Sequence, residues 1–77
     1  MPIAMIRDAA VAQQISEMMI EISGRLDRSI TTVKDRCSSE EFETYRRAVG
    51  RIMGEMLLQV LNPLYAEHPS LKPPQMD

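Results

Sequence analysis

Seventy-seven residues, 44% of them apolar and 26% charged, make one small globular domain, near the size at which a single core needs help from disulfides, metal or oligomerisation. A lone cysteine, Cys37, excludes an internal disulfide framework, and a net charge of −2 gives no global attraction to nucleic acid or anionic lipid. With only Phe42, Tyr45 and Tyr65 as aromatic residues and seven methionines, the core must be mainly aliphatic and thioether.

The opening stretch MPIAMIRD offers too short an apolar run for a signal h-region, and its charges follow that run instead of preceding it. No secretion signal is expected. Further on, Gly50-x-x-x-Gly54 has the spacing by which membrane helices bring their backbones together. Arg51 and Glu55 interrupt that segment, however, and no uncharged apolar run approaches the ~18 residues of a span. The single cysteine suits a reducing compartment, so the expected location is the cytoplasm.

From about residue 8 to 36, Val11, Ile15, Met19, Ile22, Leu26, Ile30 and Val33 recur at steps of four and three, the period of one long amphipathic helix. Ser38-Ser39-Glu40-Glu41 then fits a capping box that starts a second helix, with Cys37 and Phe42 in the flanking apolar positions. A lone cysteine so placed reads as a packing residue, since the adjacent glutamates oppose thiolate formation. Phe42, Tyr45, Val49, Met53, Met56, Val60 and Leu64 carry the second stripe, which predicts a helix over about 39–67. Asn62-Pro63 should end or kink it, because proline lacks the amide donor and crowds the carbonyl four residues earlier. Residues 69–77 form a proline-rich tail, leaving 1–68 as the helical unit.

The fold expected is therefore all-α: an antiparallel two-helix hairpin that dimerises into a four-helix bundle. A tight turn at Cys37–Ser38 pairs residues whose numbers sum to about 75, matching the two stripes along their length. On that register Gly50 and Gly54 fall near the level of Gly24, which predicts a close helix contact at Gly24, Gly50 and Gly54. The second helix carries more apolar surface than one neighbour covers. Ile52 and Met56, with Leu57, Leu61 and Tyr65 along the other side, are the expected interface for a second copy or another helical protein.

Chemistry is sparse. His68 stands beside Pro69 with no nucleophile patterned around it, and Glu17, Glu21, Glu43 and Glu55 all miss the apolar stripes on which a bundle-core metal site would be built. No catalytic residue, cofactor or metal is expected. Met18, Met19, Met53 and Met56 read as core filling. Arg25, Arg28, Arg46, Arg47 and Arg51 lie near one level and could grip phosphates, but Glu21 and Glu43 stand four residues before Arg25 and Arg47, as in a mixed-charge solvated face. The function expected is a non-enzymatic interaction, adaptor or regulatory module acting as a homodimer, with a small nucleic-acid-binding bundle as the alternative.

Overall fold

The computed structural model describes residues 5–72, and every regular element among them is helical. The all-α class is as the sequence reads. Helix α1 spans Ala9–Arg36. It starts at Asp8, whose carboxylate accepts from the amides of Ala10 at 2.9 Å and Val11 at 3.1 Å, satisfying two donors that the first turn leaves open. Lys34 and Arg36 lie in its last turn, where cations complement the helix dipole. It stops at Cys37, whose backbone is extended although its amide still reaches the Val33 carbonyl.

Helix α2, Ser39–Met56, begins after only two intervening residues. Ser38 Oγ accepts from the Glu41 amide at 3.2 Å, and Glu41 Oε1 accepts from the Ser38 amide at 3.0 Å, which completes the expected capping box. The chain then continues without a break through a π-helical turn, Leu57–Leu61, into a short helix α3, Asn62–Glu67. A single 3₁₀ turn, Pro69–Leu71, opens the segment expected as an irregular tail, and its residues 73–77 lie outside the described chain.

The π turn explains how Pro63 sits in a helix that it neither ends nor leaves regular. Proline has no amide to offer the Gln59 carbonyl, and its ring crowds that carbonyl. One turn earlier the ladder widens, so that the Asn62 amide bonds the Leu57 carbonyl five residues back. The turn thus inserts one residue. At about 100° per residue, an uninterrupted helix would aim Tyr65 about 160° away from the direction of buried Val49; one inserted residue brings it back to about 60°. Leu61 and Leu64 turn to within about 40° of the same direction. All three are buried, at 4% (Leu61), 0% (Leu64) and 6% (Tyr65) relative exposure. This corrects the expected interface, because Leu61 and Tyr65 belong to the chain's own core.

Hydrogen bonds fix an antiparallel course. Tyr45 bonds Ser29 near the turn, Tyr65 bonds Ser16 further out, and Glu67 and His68 reach residues 5 and 6 at the open end. The bonded tyrosine–serine pairs sum to 74 and 81, so a register near 75 holds by the turn and drifts beyond it, with the inserted residue contributing to the drift. The chain measures 46 × 23 × 20 Å. Its best-buried residues gather toward the open end, where the small Ala12 and Ser16 of α1 leave room for Leu61, Leu64 and Tyr65.

Small residues thus do permit close packing, but not at the expected glycines. A Cβ added to Gly50 or Gly54 meets nothing within 4 Å, and at Gly24 it meets only the guanidinium tip of Arg28 at 3.4 Å. Periodicity turns Gly50 and Gly54 about 100° and 140° from Val49, so sharing a level with Gly24 does not bring them to it.

Two outcomes follow from this packing. Gly50→Ala fills open space on a backbone with negative φ and should raise stability by roughly 1 kcal/mol in thermal melts at fixed concentration. Tyr65→Phe strands the buried Ser16 hydroxyl and should cost about 1–3 kcal/mol in urea unfolding, whereas Tyr65→Phe with Ser16→Ala should recover most of that loss.

Candidate interaction surface

The two tyrosine–serine bonds show which side of the hairpin each stripe faces. Ser29 Oγ donates to the Leu26 carbonyl at 2.6 Å, so the Tyr45 hydroxyl is the donor in the 2.7 Å bond between Tyr45 and Ser29. Measured from the seam directions of Val49 in α2 and Ala12 in α1, Tyr45 and Ser29 rotate in the same sense, and Ser16 and Tyr65 in the opposite sense. Because the helices run antiparallel, one sense of rotation corresponds to one side of the molecule. The Tyr45–Ser29 bond marks one side, and the buried Tyr65–Ser16 bond of 2.9 Å marks the other.

Periodicity places an apolar face on the Tyr45–Ser29 side. From α1 it takes Val11, Ile15, Met18 and Ile22; from α2, Ala48, Ile52 and Met56. Several of these are unusually open for their size: Val11 is 42% exposed, Met18 44%, Ile22 39% and Ile52 52%. Ala48, Ile52, Met56 and Val60 share a shallow groove of about 560 Å³ with the polar side chains of Arg51, Glu55 and Gln59. A second groove shares Ala48 and runs on toward the turn past Tyr45 and Val33.

The expected interface residues therefore divide. Ile52 and Met56 lie on this face, Leu57 is half-buried on the opposite side, and Leu61 and Tyr65 are interior. Of the four clustered methionines, Met18 is exposed while Met19, Met53 and Met56 are half-buried. The α1 half of the face is not apparent from the stripes, which place Val11, Ile15 and Ile22 on the seam. Their rotation to one side of Ala12 was the available signal.

All five candidate arginines are exposed, as is Glu43. Arg46 Nη2 meets Glu43 Oε2 at 2.9 Å, and this contact holds the Glu43 carboxyl below its ordinary pKa and raises that of Arg46. Such an exposed pair contributes little to stability. Arg28 and Arg47 share a level, yet each is turned about 160° from its seam, which sends them to opposite outer sides of the hairpin. The arginines do not converge as one patch.

His68 is occupied structurally. Its Nε2 lies 2.7 Å from the Ile6 carbonyl, so that nitrogen carries the proton, while Glu67 Oε1 accepts from the amides of Met5 at 2.9 Å and Ile6 at 3.4 Å. Together they clasp the segment before α1 to the end of α3. Cys37 is free and exposed at the turn. Among the described residues no cluster of His, Cys, Asp or Glu is arranged to hold a metal, and no helix is long and apolar enough to cross a membrane. Comparison with protein-family models, curated proteins and solved structures finds no match.

The electrostatics of the turn give a pH dependence. The Glu41 carboxyl lies below its ordinary pKa, first because the Ser38 amide donates to it and then because of the Ser38 side chain. A depressed carboxyl stabilises the fold above its ordinary pKa and loses that contribution as pH falls through the lowered value. Stability should therefore drop on acidification below about pH 4, and Glu41→Gln should show a smaller drop in acid-series denaturation.

Proposed function

We propose that this chain is a non-enzymatic helical interaction module, of adaptor or regulatory type, that acts as a homodimer. The observation that carries this reading is the apolar face on the Tyr45–Ser29 side, where Val11, Met18, Ile22 and Ile52 are each more than a third exposed. Exposed apolar surface grouped in this way marks interaction sites in soluble proteins. The described core supports it from the other direction, since Leu64 is the one large side chain buried completely. A hairpin so thinly cored gains from a second layer, and a two-fold pair of hairpins closes a four-helix bundle. The cytoplasm is the compartment proposed, on the strength of the single reduced cysteine.

The nucleic-acid alternative has less support, because the arginines are spread over opposite outer sides and one of them is paired with Glu43. Sedimentation equilibrium at micromolar concentration should give about twice the 8.8 kDa chain mass, and Ile52→Glu should return it toward the monomer. A well-folded wild-type monomer would contradict the homodimer. RNA or DNA binding whose affinity falls steeply with salt and is lost in the Arg25→Ala, Arg47→Ala double variant would replace this reading with the alternative.

A further inference from the structure

Resting on the homodimer reading, we propose that the second copy docks on the apolar face in antiparallel fashion. Each α2 lies across the partner's α2 and each α1 across the partner's α1, about a two-fold axis that passes near Ile22 and Ile52. The orientation is set by four charged residues at the outer margin of that face.

Two hairpins can stack face to face about a two-fold axis in two ways. If the axis runs along the helices, both turns lie at one end and α1 covers the partner's α2. If it runs across them, the turns lie at opposite ends and each helix covers its own copy. The apolar surface serves either arrangement, so the choice falls to the charges beside it, which act more on orientation and partner choice than on affinity.

Glu21 and Arg25 in α1, and Arg51 and Glu55 in α2, are exposed one helical turn apart, in opposite order along the chain. Periodicity turns Glu55 about 120°, Arg25 about 140° and Arg51 about 160° from their seams toward the outer margin of the apolar face, and Glu21 about 180°, straight outward beside Arg25.

In the lengthwise arrangement the partner's α2 takes the levels that α2 occupies in the same chain. The observed Ser29–Tyr45 and Ser16–Tyr65 bonds give level sums of 74 and 81 on either side of this region. Arg25 would then face the partner's Arg51, and Glu21 the partner's Glu55, so both contacts are between like charges.

In the crosswise arrangement, an axis at the level of residue 53 sets Arg51 against the partner's Glu55 and Glu55 against the partner's Arg51. An axis at residue 23 likewise sets Glu21 against the partner's Arg25 and the reverse. One axis satisfies both requirements, because residues 23 and 53 sum to 76 and so lie at one level of the hairpin, between the observed sums. All four contacts are then between opposite charges. The same axis brings Ile22 and Ile52, two of the open apolar side chains, close to their own symmetry mates.

The native cysteine supplies the test. Cys37 is exposed at the turn, so a spin label there reports where the two turns lie. Fourteen residues separate it from level 23, so the crosswise dimer puts the labels about 40 Å apart, whereas the lengthwise dimer puts them within about 20 Å. A dipolar distance near 40 Å on the full chain supports the proposal; a short distance overturns it while leaving the homodimer reading intact. The absence of any dipolar distance, with a monomer in sedimentation, overturns both. Arg51→Glu gives an independent reading. In the crosswise dimer it should raise the dimer Kd, on the order of fivefold, and Arg51→Glu with Glu55→Arg should restore it. A tighter dimer from Arg51→Glu alone is the signature of the lengthwise arrangement and contradicts the proposal.

Discussion

Pro63 has no amide to give, and the chain's accommodation of that fact organises the molecule. A proline inside a regular helix strands one carbonyl and collides with it. Here the ladder widens into a π turn over Leu57–Leu61, and the helix carries on to Glu67. The inserted residue rotates everything downstream by about a third of a turn. Leu61, Leu64 and Tyr65 thereby face Ala12 and Ser16, and the core forms at the open end of the hairpin. Upstream of the turn no such rotation occurs, so Ile52 keeps to the side of the seam and stays open.

The hairpin is therefore secured unevenly. At the turn it has the reciprocal Ser38–Glu41 cap and the Tyr45–Ser29 bond. At the open end the Tyr65–Ser16 bond lies within the core, and Glu67 and His68 hold the segment ahead of α1 through backbone groups. Between these ends Val49 is buried, but its neighbours on one side are not. The proposed function draws on this contrast: four of the most open apolar side chains, Val11, Met18, Ile22 and Ile52, share one side, and the margin there carries both signs of charge. Apolar burial would supply affinity for a second layer, and the charges would restrict how that layer lies.

What was legible in the sequence was local or periodic. The two helices, the turn and the capping box follow from spacing alone, because hydroxyl, carboxylate and backbone stand within three residues of each other. The proline signalled a disturbance at the right place, but sequence does not say whether a helix kinks, ends or inserts a residue. That choice decides which way Leu61 and Tyr65 point, and so an uninterrupted wheel put them on the wrong surface. The glycines misled for a related reason. A register gives level along the hairpin, whereas contact also needs direction, and Gly50 faces away from α1. The Tyr45–Ser29 pair did have a signal, since a tyrosine on a buried stripe needs a partner for its hydroxyl and Ser29 is within one residue of the expected level, whereas Ser16 is six residues from the level expected opposite Tyr65.

The π turn rotates Tyr65 into the chain's own core against Ser16. Isotope-filtered NOE spectroscopy on a dimer mixed from labelled and unlabelled chains tests it most directly. NOEs are expected from the Tyr65 ring to the Ser16 β protons within one chain, together with a helical amide pattern that continues past Pro63. A Tyr65 ring that contacts only solvent, or only the other chain, would mean that the segment keeps the regular helical phase, and the account of the core would be wrong.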